Sequence, residues 1–263
     1  MPKNKITVIL EIYNESERIK ECLSDFSWAE EIVVFVKKSS DNSLELAKKY
    51  ATHVYEVEYC NASENIINNS KLHDTLEWCF YITASSRIDI ELAKEIVKIT
   101  NNPTFSYDVI GLPYEMNVFN ISGSQSPWCN DYKFPLIRKS ALKLSTILHQ
   151  EVGWIGNNIF LINSSHISGR FKHITHQNPN DFFLKHNRYV QYEAKHYIEI
   201  YSNKSYYHAL NKLLRSVAFV TIKRRTIFKG KDGFTLSIAY ISYFIMLLVY
   251  VWYYSRNKTI SNS

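Results

Sequence analysis

Asn14 and Glu15, together with the run Lys37-Lys38-Ser39-Ser40-Asp41-Asn42, bring amide, carboxylate, ammonium and hydroxyl groups to the ends of two predicted strands. Groups of this kind hold a polar ligand. In open α/β sheets such ligands sit beyond the carboxyl ends of the strands. The first strand is predicted over Ile6–Ile12 and the second over Glu31–Val36, so the two polar loops are expected side by side at one crevice.

The elements that position these loops follow from apolar spacing. Ile19, Cys22, Leu23 and Phe26 recur at i, i+3, i+4 and i+7, which gives a helix one stripe to lay on a sheet. Asn14, with Glu17 three residues on, reads as the start of that helix. The second strand is the short apolar run expected of a strand buried on both faces of a parallel sheet. Asp41 or Asn42 then caps a helix over Ser43–Tyr50, and the chain enters a third strand at Thr52–Val57. Repetition of strand, loop and helix predicts an α/β fold with a mostly parallel sheet flanked by helices.

Composition narrows the functional classes. Seven glycines in 263 residues are few, and neither GxGxxG nor GxxxxGK[ST] occurs, which argues against a glycine-rich phosphate loop. Cys22, Cys60, Cys79 and Cys129 have no CxxC spacing; free thiols in a reducing compartment are the expected state. Met1–Lys5 leads straight into the first strand with no signal-peptide pattern, so the amino-terminal part is expected in the cytosol.

A formal charge of +6 raises the question of nucleic acid, but the position of the excess points elsewhere. Lys212, Arg215, Lys223, Arg224, Arg225, Lys229 and Lys231 cluster just before Gly233–Ser255, 23 residues without a charge. Basic residues beside an apolar stretch suit an anionic membrane surface, at about 1 kcal/mol per residue. Leu210, Leu213, Leu214, Val217 and Val220 give Tyr206–Ile227 an amphipathic face. Gly233–Ser255 is long enough to cross ~30 Å of hydrocarbon as a helix. Tyr250, Trp252, Tyr253 and Tyr254 crowd its far end like an interfacial aromatic belt.

Several segments, in order along nearly the whole chain, carry a family resemblance. Ile12-Tyr13-Asn14-Glu15, Trp28-Ala29-Glu30-Glu31-Ile32-Val33-Val34 and Ser39-Ser40-Asp41-Asn42-Ser43 come first. Trp128-Cys129-Asn130-Asp131-Tyr132 with Leu136 and Arg138, Leu148-His149-Gln150-Glu151, and Lys185-His186-Asn187-Arg188-Tyr189 follow. In these the chain resembles the family 2 glycosyltransferases of the GT-A fold, above all small bacterial enzymes that add sugars to lipopolysaccharide core, capsule or related glycans. The pattern breaks at two points. Where the family has the Asp-x-Asp motif that holds Mg²⁺ or Mn²⁺ against the donor diphosphate, this chain reads Thr83-Ala84-Ser85-Ser86-Arg87, and Val36 stands for the base-contacting aspartate.

The resemblance implies roles residue by residue. Asn14, Glu15 and Asp41 match donor-contacting positions, although Asn14 and Asp41 are also natural helix caps. Thr83, Ser85 and Ser86 can donate hydrogen bonds to phosphates. Lys37 or Lys38, and above all the planar guanidinium of Arg87, are the cations expected at the leaving diphosphate. Glu151 is the expected general base, with His149 or Asp131 as substitutes. Trp128, Tyr132 and His173 fall on the acceptor side. His173 and His176 are three apart in a predicted strand and so on opposite faces, which gives no metal pair. His186, Asn187 and Arg188 open a helix through Tyr197 whose main task is packing.

The expected organisation is a GT-A-like domain over 1–205, membrane-associated helices over 206–255 and a polar tail over 256–263. The implied partners are a nucleotide-sugar donor, a surface-glycan or lipid-linked acceptor and an anionic membrane on its cytosolic face, reached peripherally or by one carboxyl-terminal span. Two other readings stand beside the enzyme: a donor-binding relative that lost transfer along with its acids, and a nucleic-acid-binding α/β protein, disfavoured by where the basic residues lie.

Overall fold

The structure is a computed structural model that describes residues 4–59, 75–143 and 153–260. His149, Glu151 and Cys60 lie outside the described residues. The chain divides into two compact units, one of residues 1–115 and 130–173, the other of 116–129 and 174–263. The boundary expected after Ser205 falls inside the second unit.

The first unit begins with β1 (Ile6–Ile12), α1 (Ser16–Asp25), β2 (Glu31–Lys37), α2 (Ser43–Tyr50) and β3 (His53–Val57). After β4 (Trp78–Ile82) and β5 (Ser86–Ile88) come α3 (Ile90–Thr100), β6 (Val109–Val118), β7 (Tyr132–Arg138), β8 (Leu142–Lys143), β9 (Gly153–Trp154), β10 (Ile159–Leu161) and β11 (Phe171–Thr175). The main sheet runs in the order β3-β2-β1-β4-β7-β6-β11-β5, with β10 added on β6. β3, β2, β1 and β4 are all parallel, and β7 turns the sheet antiparallel beyond β4. Chain order reverses between β1 and β4: β2 lies on one side of β1 and β4 on the other. A crevice opens at such a point because the crossovers leave in opposite directions.

Alternation along β1 and β2 builds both faces. Ile6, Val8, Leu10 and Ile12 join Ile32, Val34 and Val36 in the larger core, under Ile19, Cys22 and Leu23 of α1 and Phe26 at its end. Ile9, Val33, Phe35 and Cys79 face the opposite side as a smaller core. The α1 stripe read from the sequence is thus the face that packs. Phe80 lies at the centre of an aromatic cluster, its ring 5.3 Å from Phe26, 6.3 Å from Trp28 and 5.6 Å from Phe171.

The second unit is helical: α4 (Pro179–Tyr201), α5 (Ser205–Ala218) and α6 (Gly230–Ile260). The start of α4 lies seven residues before the helix expected at His186, because Asn178 accepts from the Asp181 N–H at 2.9 Å and Pro179 supplies a fixed φ in the first turn. Val190 and Ala194 of α4, Ala209 of α5 and Leu247 and Val251 of α6 share one core. Tyrosine hydroxyls of α6 also reach α4, from Tyr250 to Asn187 at 2.6 Å and from Tyr254 to Gln191 at 3.3 Å. Tyr243 donates to Glu193, which also pairs with Lys212 at 2.6 Å. The other side of α6 leaves Phe234, Ile238, Ile245, Val249 and Trp252 about half exposed on one face.

Candidate functional site

Three loops meet at the carboxyl ends of β1, β2 and β4. Asn14 follows β1 with φ of +54°, a left-handed conformation that asparagine tolerates better than most residues. That turn carries its N–H to the Ser39 hydroxyl at 3.1 Å, while its own Oδ1 accepts from the Ser40 N–H at 2.8 Å. Asn14 is therefore a clasp between the two loops and not the cap of α1; Glu15 occupies the cap position, but its side chain makes no capping hydrogen bond to the helix. The Glu15 N–H donates to the Ser43 hydroxyl at 2.8 Å.

Asp41 replaces the missing cap from across the crevice. Its Oδ2 accepts from the Ser16 N–H and its Oδ1 from the Ser43 N–H, both at 3.0 Å, so one carboxylate serves the first turns of α1 and α2. Burial opposes ionisation, but the hydrogen bonds from Ser43 and Ser16 outweigh it and lower the carboxyl to about 2. Because the folded value lies below the ordinary 3.8, the stabilisation is fully present above that value and is lost as the pH falls through about 2. Asp41→Ala should therefore cost about 1–2 kcal/mol near neutrality. In urea melts across pH the gap to the native protein should narrow below pH 4, and a gap that persists unchanged at pH 2 would exclude this role.

The cations distribute differently from the expectation. Lys37 lies on the sheet face opposite α1, in a nearly buried pair with Glu11. Lys38 pairs with Glu58 in solvent. Arg87 is fixed under α1: it reaches Glu21 at 2.8 Å and Asp25 at 3.8 Å, and donates to the carbonyls of Ala84 at 3.0 Å and Ser86 at 2.8 Å. Alternation in β5 explains this, since Ser86 turns to Thr83 and Arg87 to the other side. Arg87 therefore ties the turn to α1.

The guanidinium at the crevice belongs to Arg18, in the first turn of α1. It pairs with Glu15 at 2.8 Å and donates to the Ser85 hydroxyl at 3.2 Å, bridging from β1 to β4 across the point where strand order reverses. Its side chain is 15% exposed, so it is held and still reachable. Within the turn after β4, Ser86 Oγ accepts from the Thr83 N–H at 3.1 Å and lies 3.3 Å from the exposed Thr83 hydroxyl. Antiparallel pairing of β11 with β5 sets His173 opposite Ser86, with Nδ1 3.4 Å from Thr83 Oγ1. His173, expected on the acceptor side, thus joins the same turn. Tyr13 stands 37% exposed beside the loops, its ring 4.7 Å from that of Tyr59.

Asn14, Glu15, Asp41, Thr83, Ser85, Ser86 and His173 are brought together; Lys37 and Arg87 turn to other partners. Asp131 is exposed just before β7, where its carbonyl accepts from the Tyr114 N–H, and Tyr132 opens β7. Trp128 lies in the second unit, its ring 5.3 Å from Tyr240 and 6.4 Å from Phe182. His176 and His186 pack there too, with ring centres 4.6 Å apart. Among the described residues no three His, Cys, Asp or Glu side chains converge as metal ligands. The signal for Arg18 was present as a cation one helical turn after Asn14, but a single helix does not show which strand it will meet.

No protein-family model matches the chain. Among solved structures, residues 1–349 of TarS from S. aureus align with a TM-score of 0.48 and 14% identity, over 96% of this chain and 92% of that one. A longer TarS structure aligns at 0.46 and 15% identity over 74% of this chain, which spans only 40% of its length. Glucosyl-3-phosphoglycerate synthase from Mycobacterium tuberculosis, in complex with Mn²⁺, UDP and glucosyl-3-phosphoglycerate, aligns at 0.32 and 14% identity over 43% of this chain and 44% of that chain.

Proposed function

We propose that the protein is a membrane-associated glycosyltransferase that moves a sugar from a nucleotide-linked donor to a surface-glycan or lipid-linked acceptor. The observation that carries this reading is the convergence of the three loops at the strand ends, which brings the Thr83, Ser85 and Ser86 hydroxyls and the Arg18 guanidinium to the end of β4 and leaves Tyr13 exposed at the end of β1. An aromatic face suits a base, and the guanidinium and hydroxyls suit a diphosphate. The ordered sequence resemblance supports the same reading. In an inverting transfer the acceptor oxygen attacks the anomeric carbon as the bond to the diphosphate oxygen breaks. The hydroxyl proton passes to a base, and the nucleoside diphosphate leaves with the bonding electrons. Glu151 is the proposed base on the strength of the resemblance, with His149 or Asp131 in its place if Glu151→Gln retains turnover.

The membrane role rests on α6. Within the helix Gly230–Asn257 the most apolar stretch of 18 residues has a mean hydropathy of 2.0, and only 22% of that stretch is buried. One of its sides is occupied by α4 and α5, which bring Glu193 and Lys212 against it. The other side is apolar and exposed. A helix with charged neighbours along one side suits a position in the plane of the interface, with Ile238, Ile245 and Val249 toward lipid. Lys223, Arg225 and Lys231 add attraction to anionic headgroups. Arg224 and Lys229 have other work, donating to the carbonyls of Cys129 and Ser124.

Full-length protein incubated with a panel of nucleotide sugars and membrane glycolipid extract should release a nucleoside diphosphate in step with labelled glycolipid. Binding without any release across the panel would instead favour the donor-binding relative.

A further inference from the structure

The proposed transfer needs positive charge at the leaving diphosphate, and the resemblance would supply it as a divalent ion. The donor set of this crevice does not fit such an ion. Thr83, Ser85 and Ser86 offer neutral hydroxyls and His173 a single imidazole, whereas Mg²⁺ and Mn²⁺ favour carboxylate oxygens. The carboxylate of Glu15 is already paired with Arg18 at 2.8 Å. A guanidinium 3.2 Å from Ser85 Oγ also repels a second cation from the same turn.

We propose that Arg18 is the resident cation of this crevice and binds the donor diphosphate where a metal would otherwise stand, so that donor binding is independent of divalent metal. The inference rests on the glycosyltransferase reading. Arg18 carries five N–H donors, and its partners Glu15 and Ser85 engage one terminal nitrogen each. Planar donors remain for phosphate oxygens. Glu15 acts as a positioning residue that sets the guanidinium plane, and Ser85 marks the point at which the diphosphate meets it. Lys37 and Arg87 turn to other sides of the sheet and Lys38 reaches Glu58 in solvent, so of these four cations Arg18 is the one that meets the turn after β4, at Ser85. A mostly buried fixed cation is little screened by salt and needs no ligand carboxylates.

The test is calorimetric titration of detergent-solubilised full-length protein with UDP, GDP, CDP and ADP, in EDTA and in Mn²⁺. At least one nucleotide should bind in EDTA, with its Kd changed less than about threefold by Mn²⁺. Arg18→Ala should weaken that binding by about ten- to a hundredfold, the usual size of a charge-assisted contact. Ser85→Asp keeps Arg18 but supplies a carboxylate to capture it, and should produce a similar loss. Thermal melts of both variants separate a binding effect from a folding one, and Ser85→Asp decides the matter if Arg18→Ala fails to fold. Binding that requires Mn²⁺ and is indifferent to both substitutions overturns the role of Arg18 while leaving donor binding intact. No binding by any of the four nucleotides, with or without Mn²⁺, overturns the glycosyltransferase reading and this inference together.

Discussion

Phe80→Ala is expected to lower the stability of the sheet unit by about 3–5 kcal/mol. The Phe80 side chain is fully buried, and its ring neighbours come from the carboxyl-terminal cap of α1, the loop after it and β11. Removing the ring deletes both the transfer free energy of the side chain and its contacts with residues far apart in the chain, which cannot all collapse into the space. Trp28, Trp78 and Trp154 lie in this unit and Trp128 and Trp252 in the other, so urea unfolding followed by fluorescence in a background with Trp128→Phe and Trp252→Phe reads the sheet. The midpoint should fall with the slope unchanged. A loss below about 1 kcal/mol would mean that the cluster is loosely packed and that the β1–β4 core does not fix the crevice loops.

Replacing Ile245 and Val249 together by aspartate should detach the protein from membranes. Both side chains are about half exposed on the free face of α6, so the change leaves the core shared with α4 and α5 untouched. A charge carried into lipid costs about 2–3 kcal/mol, and two of them shift partitioning by about a thousandfold or more. Flotation with vesicles containing anionic lipid should carry the native protein upward and leave the double variant at the bottom. Equal flotation of the two would place the anchor elsewhere.

Much of the sheet unit was legible because burial on both faces leaves a strong mark. Val8, Leu10 and Ile12 alternate with Ile9, and α1 repeats its stripe at helical spacing. The meeting of the first two loops was legible as well, since consecutive βα units bring their strand ends together. Two kinds of information were absent. A charged residue does not announce its partner: Arg87 and Arg18 both look like cations near a strand end, and only the pairing of β1 with β4 and the alternation in β5 send one to α1 and the other to Ser85. The Glu11–Lys37 pair was hidden for the same reason. Helix limits in the second unit were also understated, because the Asn178-Pro179 start precedes a stretch rich in polar residues. The core of α4 is supplied by α6 from a distance of some sixty residues, which no local window contains.

The most direct test of the central claim is hydrogen exchange of full-length protein with and without a saturating nucleotide sugar, in EDTA. Exchange should slow in three separate segments, 13–18, 39–43 and 83–86, and the same segments should stay unprotected in Arg18→Ala at that ligand concentration. Protection confined to other parts of the chain, or none in these three segments at saturation, would contradict a donor site at the strand ends.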